Sequence, residues 1–146
     1  MKPSSTDATS VSVCERIRWS DCDPAGIMYF GTYVRLHEIA ETEMMRACGF
    51  PYSAEGMDAL DAWVLRVNFS IDFVAPVSLD DEVVVDIWIG EIGGASFRQE
   101  FEVRIAGSDD VAARGRCTTV TVDRTTRKAR RIPDALRTAL MRLVRS

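Results

Sequence analysis

The sequence predicts an α+β domain: one five-stranded antiparallel sheet covered by a single long helix. Three observations predict it. Four consecutive segments between Trp63 and Asp123 alternate apolar and polar residues with a period of two. One stretch, Thr32 to Cys48, repeats apolar residues at three- and four-residue spacing instead. Glycine and proline signals separate the segments, with no internal repeat and no linker. Residues 11–146 therefore read as one domain, preceded by a polar leader over 1–10 expected to be disordered.

Val11 to Trp19 is the first expected strand, with Val11, Val13, Ile17 and Trp19 on one side. Pro24 and Gly26 end it in a turn. In the helical stretch Tyr33, Leu36, His37, Ala40, Met44, Ala47 and Cys48 share a face, while Val34, Ile39 and Met45 lie off it. Apolar residues around so much of the girth suit a helix wrapped by a curved sheet. Gly49 and Pro51 stop that helix, and a short irregular or helical piece is expected over Tyr52 to Met57. The second strand sets Trp63, Leu65, Val67, Phe69, Ile71 and Phe73 against Arg66, Asn68, Ser70 and Asp72, and ends at Pro76. Val83, Val85, Ile87 and Ile89 form the third, and Gly93-Gly94 turn it. Phe97, Phe101, Val103 and Ile105 form the fourth, with Arg98, Glu100, Glu102 and Arg104 outward. Val111 to Asp123 is the fifth, and Pro133 to Val144 closes the chain as an amphipathic helix. A sheet this long exceeds what one helix covers, so subunits are expected to pair.

At 146 residues, with 47% hydrophobic and 27% charged, the composition is that of an ordinary globular domain. No apolar run has the length of a membrane span and no secretory signal is present, so membrane insertion is not expected and a cytoplasmic location is. The four cysteines contain no Cys-x-x-Cys pair, so they read as free thiols rather than zinc ligands or a redox pair. Net charge of −4 argues against nucleic-acid binding. From Arg124 onward, however, eight basic residues face one acid, a net +7 against −11 for the rest. The run Arg124, Arg127, Lys128, Arg130, Arg131 on an acidic body suits a small anionic ligand, or simply a solvated loop.

The chemistry concentrates between Trp19 and Thr32. The first amides of a helix lack intrahelical partners. No acid between Pro24 and His37 neutralises this helix start, so amides near Phe30, Gly31 and Thr32 are either candidate donors to a ligand oxygen or capped by water or by Asp23 itself. Asp23, beside them, can attack a thioester carbonyl or deprotonate water, or serve only as an Asp-Pro turn residue bonding its own backbone. Asp21 reads as a turn or salt-bridge residue. Glu38, nearly opposite the apolar stripe, lines a pocket or faces solvent. His37, the one histidine, falls on the stripe and reads as a packed core residue. His37 to Glu41 is not a zincin helix, because Glu41 stands where the second histidine belongs. Gly94-Ala95-Ser96-Phe97-Arg98 lacks the final glycine of a serine-hydrolase elbow.

The run Asp21-Cys22-Asp23-Pro24-Ala25-Gly26-Ile27, with Tyr29, Tyr33 and Glu38, resembles the 4-hydroxybenzoyl-CoA thioesterase family of hotdog-fold acyl-CoA thioesterases. Glu38, Ala40, Thr42, Glu43, Met44 and Arg46 also resemble the Tol-Pal-associated members. Phe69 to Pro76, followed by Asp81-Glu82-Val83, is similar to their strand-turn-strand stretch, and Ser96-Phe97 to a pair many members carry. The likeness spans roughly residues 12–133. It implies a hotdog fold paired into dimers and often a homotetramer, with active sites at the dimer interface. It implies hydrolysis of acyl-CoA to a carboxylic acid and free CoA, with no metal or other cofactor. Asp23 matches the catalytic aspartate, the amides near Phe30 and Gly31 the oxyanion donors, and Glu38 an acidic position near the acyl pocket. Tyr29, Phe30 and Trp63, with residues of a second subunit, are expected to line that pocket. Two departures stand out. Phe30 replaces the histidine many Tol-Pal-type members carry, which favours an aspartate-only mechanism. Gly93-Gly94-Ala95 replaces a basic cluster, which leaves Arg127, Lys128 and Arg130 as the phosphate candidates. The alternatives are release of acyl groups from a carrier protein, or a non-catalytic acyl-CoA-binding hotdog protein.

Overall fold

A computed structural model describes residues 9–145. Most of the expected leader, residues 1–8, lies outside the described residues. Strands β1 (Val11–Arg16), β2 (Trp63–Phe73), β3 (Glu82–Ile92), β4 (Ser96–Ile105) and β5 (Val111–Val122) form one sheet in the order β1-β3-β4-β5-β2. Every pairing is antiparallel. Helix α1 (Thr32–Ala47) lies on one face, α2 (Ala54–Leu60) precedes β2, and α3 (Asp134–Met141) follows β5. The expected element order holds throughout.

Alternation explains the layers. Val83, Val85, Ile87 and Ile89 of β3 and Phe97, Phe101 and Val103 of β4 are buried against Leu36, Ala40, Met44 and Met45 of α1. Each large apolar side chain so buried stabilises the fold by about 1.5–3 kcal/mol. On the opposite face the alternate residues form a charge ladder. Asp86 pairs with Arg104 at 2.8 Å, Glu102 with Arg114 at 3.2 Å, and Arg98 with both Glu91 and Glu100 at 2.7 Å. Ser53 caps α2 by accepting from the Gly56 N–H at 3.0 Å. After α3 the tail returns to the sheet, where the Ile89 N–H donates to the Leu143 carbonyl at 2.8 Å.

Two expectations fail. Trp19 does not continue β1 inward. The chain leaves the strand at Arg16, buries Ile17, and forms a 3₁₀ turn over Trp19–Asp21 that leaves Trp19 83% exposed. The second failure is the face assignment of β2. Arg66 pairs with Thr119 and Asn68 with Thr118, so Val67 is an extra residue opposite none. This β-bulge switches faces midway along the strand. Beyond it, Phe69 and Ile71 turn towards the core as expected. Before it the pattern inverts. Arg66 turns inward to Glu41 of α1, and Trp63, Leu65 and Val67 are exposed on an edge strand.

Candidate active site

The loop between β1 and α1 is held by Asp21, whose side chain is buried. Its Oδ2 accepts from the Arg18 N–H at 2.8 Å and its Oδ1 from the Arg35 guanidinium at 2.7 Å. Its carbonyl accepts from the Tyr29 N–H and the Thr32 hydroxyl, both at 2.9 Å. One residue thus fixes both the turn and the start of α1, as its reading as a salt-bridge residue anticipates.

Asp23 opens the next turn. Its Oδ1 accepts from the Ala25 N–H at 2.8 Å, and its N–H donates to the Ile27 carbonyl at 2.9 Å. Gly26 takes φ +79°, the left-handed conformation that closes this turn. The self-bonding expected of an Asp-Pro turn is therefore present, but it occupies one carboxylate oxygen only. Among the described residues nothing donates to Oδ2. Asp23 is the one residue common to two clefts. The first, of about 370 Å³, is apolar and lined by Met28, Phe30, Tyr33, Phe73 and Val74 among others. The second, of about 420 Å³, runs past Trp19, Cys22 and Leu79.

The helix start divides the three amides singled out in the sequence. The Thr32 N–H is used, donating to the Tyr29 carbonyl at 2.9 Å. The Phe30 and Gly31 N–H groups have no backbone or side-chain acceptor among the described residues. No side chain caps α1, and no acid lies in its first turn. The Tyr29 ring overhangs Gly31, where a Cβ would stand 2.7 Å from the Tyr29 Cε1. Asp23 and Phe30 thus border one apolar cleft, with the unused Phe30 and Gly31 amides at the positive end of the adjoining helix, an arrangement suited to attack on a carbonyl. Cys22, between the acids, is no competing nucleophile: burial and the carboxylates of Asp21, Asp23 and Asp81 push its thiol pKa up.

The remaining expected residues are not brought together within one chain. Glu38 is exposed on α1 and outside both clefts. Trp63 lies at the opposite end of β2 from Phe73, beneath the Arg124 guanidinium at 4.5 Å. Arg124 also pairs with Asp58 at 3.0 Å, and Arg130 donates to the Asp61 carbonyl at 2.6 Å. Arg127 and Lys128 are exposed. The 11 residues of β2 separate this basic loop from the Asp23 cleft, about 33 Å over ten steps of roughly 3.3 Å. Sequence reasoning did not place Phe73, Val74, Ala75 and Pro76 in the cleft; they arrive from the far end of β2. The Tyr33–Phe73 ring contact, 5.1 Å between centroids, is their link to α1.

Sheet, wrapped helix and bare helix start together define a hotdog domain. A family model described as "Thioesterase-like superfamily" matches residues 17–140, and the chain belongs to that superfamily. It is 31% identical over 97 residues to the 4-hydroxybenzoyl-CoA thioesterase of Pseudomonas sp. strain CBS-3, covering 66% of this chain and 69% of the relative. It is 30% identical over 95 residues to the acyl-CoA thioester hydrolase YbgC of Escherichia coli O157:H7, covering 65% and 68%. Among solved structures it matches a 1,4-dihydroxy-2-naphthoyl-CoA thioesterase from Synechocystis with a TM-score of 0.81 at 23% identity, covering 90% of this chain and 96% of the other. A 4-hydroxybenzoyl CoA thioesterase variant complexed with 4-hydroxybenzoyl CoA matches at a TM-score of 0.81 and 24% identity, covering 91% and 99%. No helix among the described residues is long and apolar enough to cross a membrane.

Proposed function

We propose that the protein is an acyl-CoA thioesterase that uses water to cleave its substrate to a carboxylic acid and free CoA. The observation that carries this reading is one apolar cleft bordered by Asp23, with an unpaired oxygen, and by Phe30, whose amide and that of the adjoining Gly31 are unused. The acyl group enters the apolar cleft between Phe30, Tyr33 and Phe73. The two N–H groups hold the carbonyl oxygen as it becomes an oxyanion. Asp23 either adds to the carbonyl, giving an anhydride that water opens, or takes the proton of an attacking water. In both courses the thiolate of CoA leaves. Relatives that act on acyl-CoA and share this fold support the reading.

The site is completed in a pair. The basic loop is remote from Asp23 within a chain, but two β2 edges meeting antiparallel would set the Trp63 end of one beside the Phe73 end of the other. Arg127 and Lys128 of a second copy then reach the phosphates of CoA, and its Trp63 approaches the acyl group. The exposed Trp63, Leu65 and Val67 supply the apolar surface for that meeting. The test is a turnover panel of aromatic, short-chain and long-chain acyl-CoA esters, followed by thiol release. Turnover on at least one class, abolished in Asp23→Asn, is expected; binding without thiol release in the intact protein would overturn the assignment.

A further inference from the structure

Beneath α1 lies a second group of chemistry-bearing side chains that thioester cleavage does not use. His37 and Glu41, one helical turn apart, face Cys117 of β5, and all three are buried. Their ligand atoms lie within 4.8 Å of one another, with His37 Nε2 3.6 Å from Glu41 Oε2. The carboxylate is divided in its duties. Oε1 accepts from both the Arg66 guanidinium and the Tyr52 hydroxyl. Oε2, buried in the same space as the imidazole and the thiol, has no hydrogen-bond partner. An orphaned carboxylate oxygen in a sealed interior calls for an explanation, and an ion is one of the few available. A fourth candidate ligand atom, Gln99 Oε1, accepts a hydrogen bond from His37 Nε2 at 2.6 Å.

We propose that His37 Nε2, Glu41 Oε2 and Cys117 Sγ bind one zinc ion, with Gln99 Oε1 closing the coordination shell. One nitrogen, one or two oxygens and one sulfur form the mixed donor set that zinc accepts in tetrahedral geometry, at bond lengths of about 2.0–2.3 Å. Such bonds put neighbouring donors roughly 3.2–3.6 Å apart. The imidazole–carboxylate pair already meets that spacing; Cys117, within 4.8 Å of both, approaches by at most about 1.5 Å, and Gln99 withdraws from the imidazole by about 0.6–1 Å. Arg66 and Tyr52, holding the other carboxylate oxygen, are the outer partners that orient a ligating carboxylate. On binding, the Nε2–H bond that serves Gln99 breaks as the imidazole takes the Nδ1–H tautomer, the Cys117 S–H bond breaks with its proton passing to solvent, and the N–Zn and S–Zn bonds form. The ligands line neither cleft at Asp23, so the ion's role is to clamp α1 to β5 beneath the bulge of β2.

The experiment uses the full chain, stripped of metal by a chelator and dialysed against zinc alone. Uptake of one zinc per chain is expected, with a rise in Tm of about 5–10 °C at a hundredfold excess over Kd. Cobalt in place of zinc should give a sulfur-to-metal charge-transfer band. That band should be lost in Cys117→Ser and retained when Cys14, Cys22 and Cys48 are all replaced by serine. The triple variant leaves the cluster untouched, so it decides the matter even if Cys117→Ser fails to fold. No stoichiometric uptake, or uptake that disappears in the triple variant, would overturn the site. None of these measurements reads turnover, so the zinc site and the thioesterase reading stand or fall separately.

Discussion

Asp23 carries two duties on two oxygens, and substitutions can separate them. Asparagine keeps an acceptor for the Ala25 N–H but loses the charge. Asp23→Asn should therefore fold with an unchanged Tm while kcat falls by about 10²–10⁴-fold, the range of a lost acid–base group. Gly31 allows a complementary test. Its φ of −67° suits any residue, so Gly31→Ala carries no backbone strain. Its new Cβ, however, meets the Tyr29 ring and must displace it from the donor pair. We expect little change in Tm and a loss in kcat approaching the 10²–10³-fold of a missing oxyanion donor; steady-state kinetics on the best substrate of the panel checks both. The turn at Asp23 and the unused amides of Phe30 and Gly31 were legible in the sequence because they are local features: a turn, a helix start, no nearby acid. The opposing wall of the cleft was not. Phe73 reaches Tyr33 only through the path of β2 across the sheet, and no short-range pattern encodes that contact.

Among the elements, β2 shows where periodicity stops informing. Trp63 to Phe73 alternates without a break, so nothing in the strand itself announces an extra residue. The bulge at Val67 is visible only in the register with β5, where Arg66 and Asn68 face adjacent threonines. The cause is chemical. Glu41 is buried on α1, and turning Arg66 inward gives it a cation. Arg66→Leu should strip that carboxylate of its countercharge. The expected cost is about 2–4 kcal/mol, below the full figure for a buried pair because the Arg66 side chain is 43% exposed. Glu41→Leu combined with Arg66→Leu should recover much of it, a recovery that a double-mutant cycle by urea unfolding would measure. Helix α1 was read more securely. Its boundaries agree within a residue and its stripe holds from Tyr33 to Met44, but Ala47, expected on it, is exposed and Met45, expected off it, is buried; the burial of Glu41 was not anticipated because a buried carboxylate contradicts its own residue type. The pairing of His37 with Cys117 was equally hidden, since their donors come from a helix and a strand far apart in the chain.

For the whole molecule, the proposed function makes assembly a catalytic requirement, because Asp23 and the basic loop lie at opposite ends of β2. Leu65→Lys places a charge on the exposed edge of β2, a device that natural edge strands use against pairing. The variant should sediment as a monomer and lose most of its turnover with its fold intact by circular dichroism; an active monomer would remove the need for a second chain. Charge reversal of Arg127 and Lys128 together should raise KM for CoA esters about 3–10-fold, as expected for exposed ionic contacts, and leave short thioesters lacking the nucleotide unaffected. Comparing the two substrate types isolates the phosphate contribution. The size of the sheet suggested pairing in the sequence, whereas the exposed apolar edge proposed for it emerged only with the inverted half of β2.

The ladder of acids and arginines across the outer surface of the sheet limits what can grow from such a pair. Laying a second pair over it would strip hydration from Asp86, Arg104, Glu102, Arg114 and their neighbours, a cost that their mutual contacts already fail to exceed when dry. Stacking of sheets back to back is thereby disfavoured, and a four-chain particle, were one formed, is expected to join through helices or loops and leave that corrugated, salt-laced surface in contact with water.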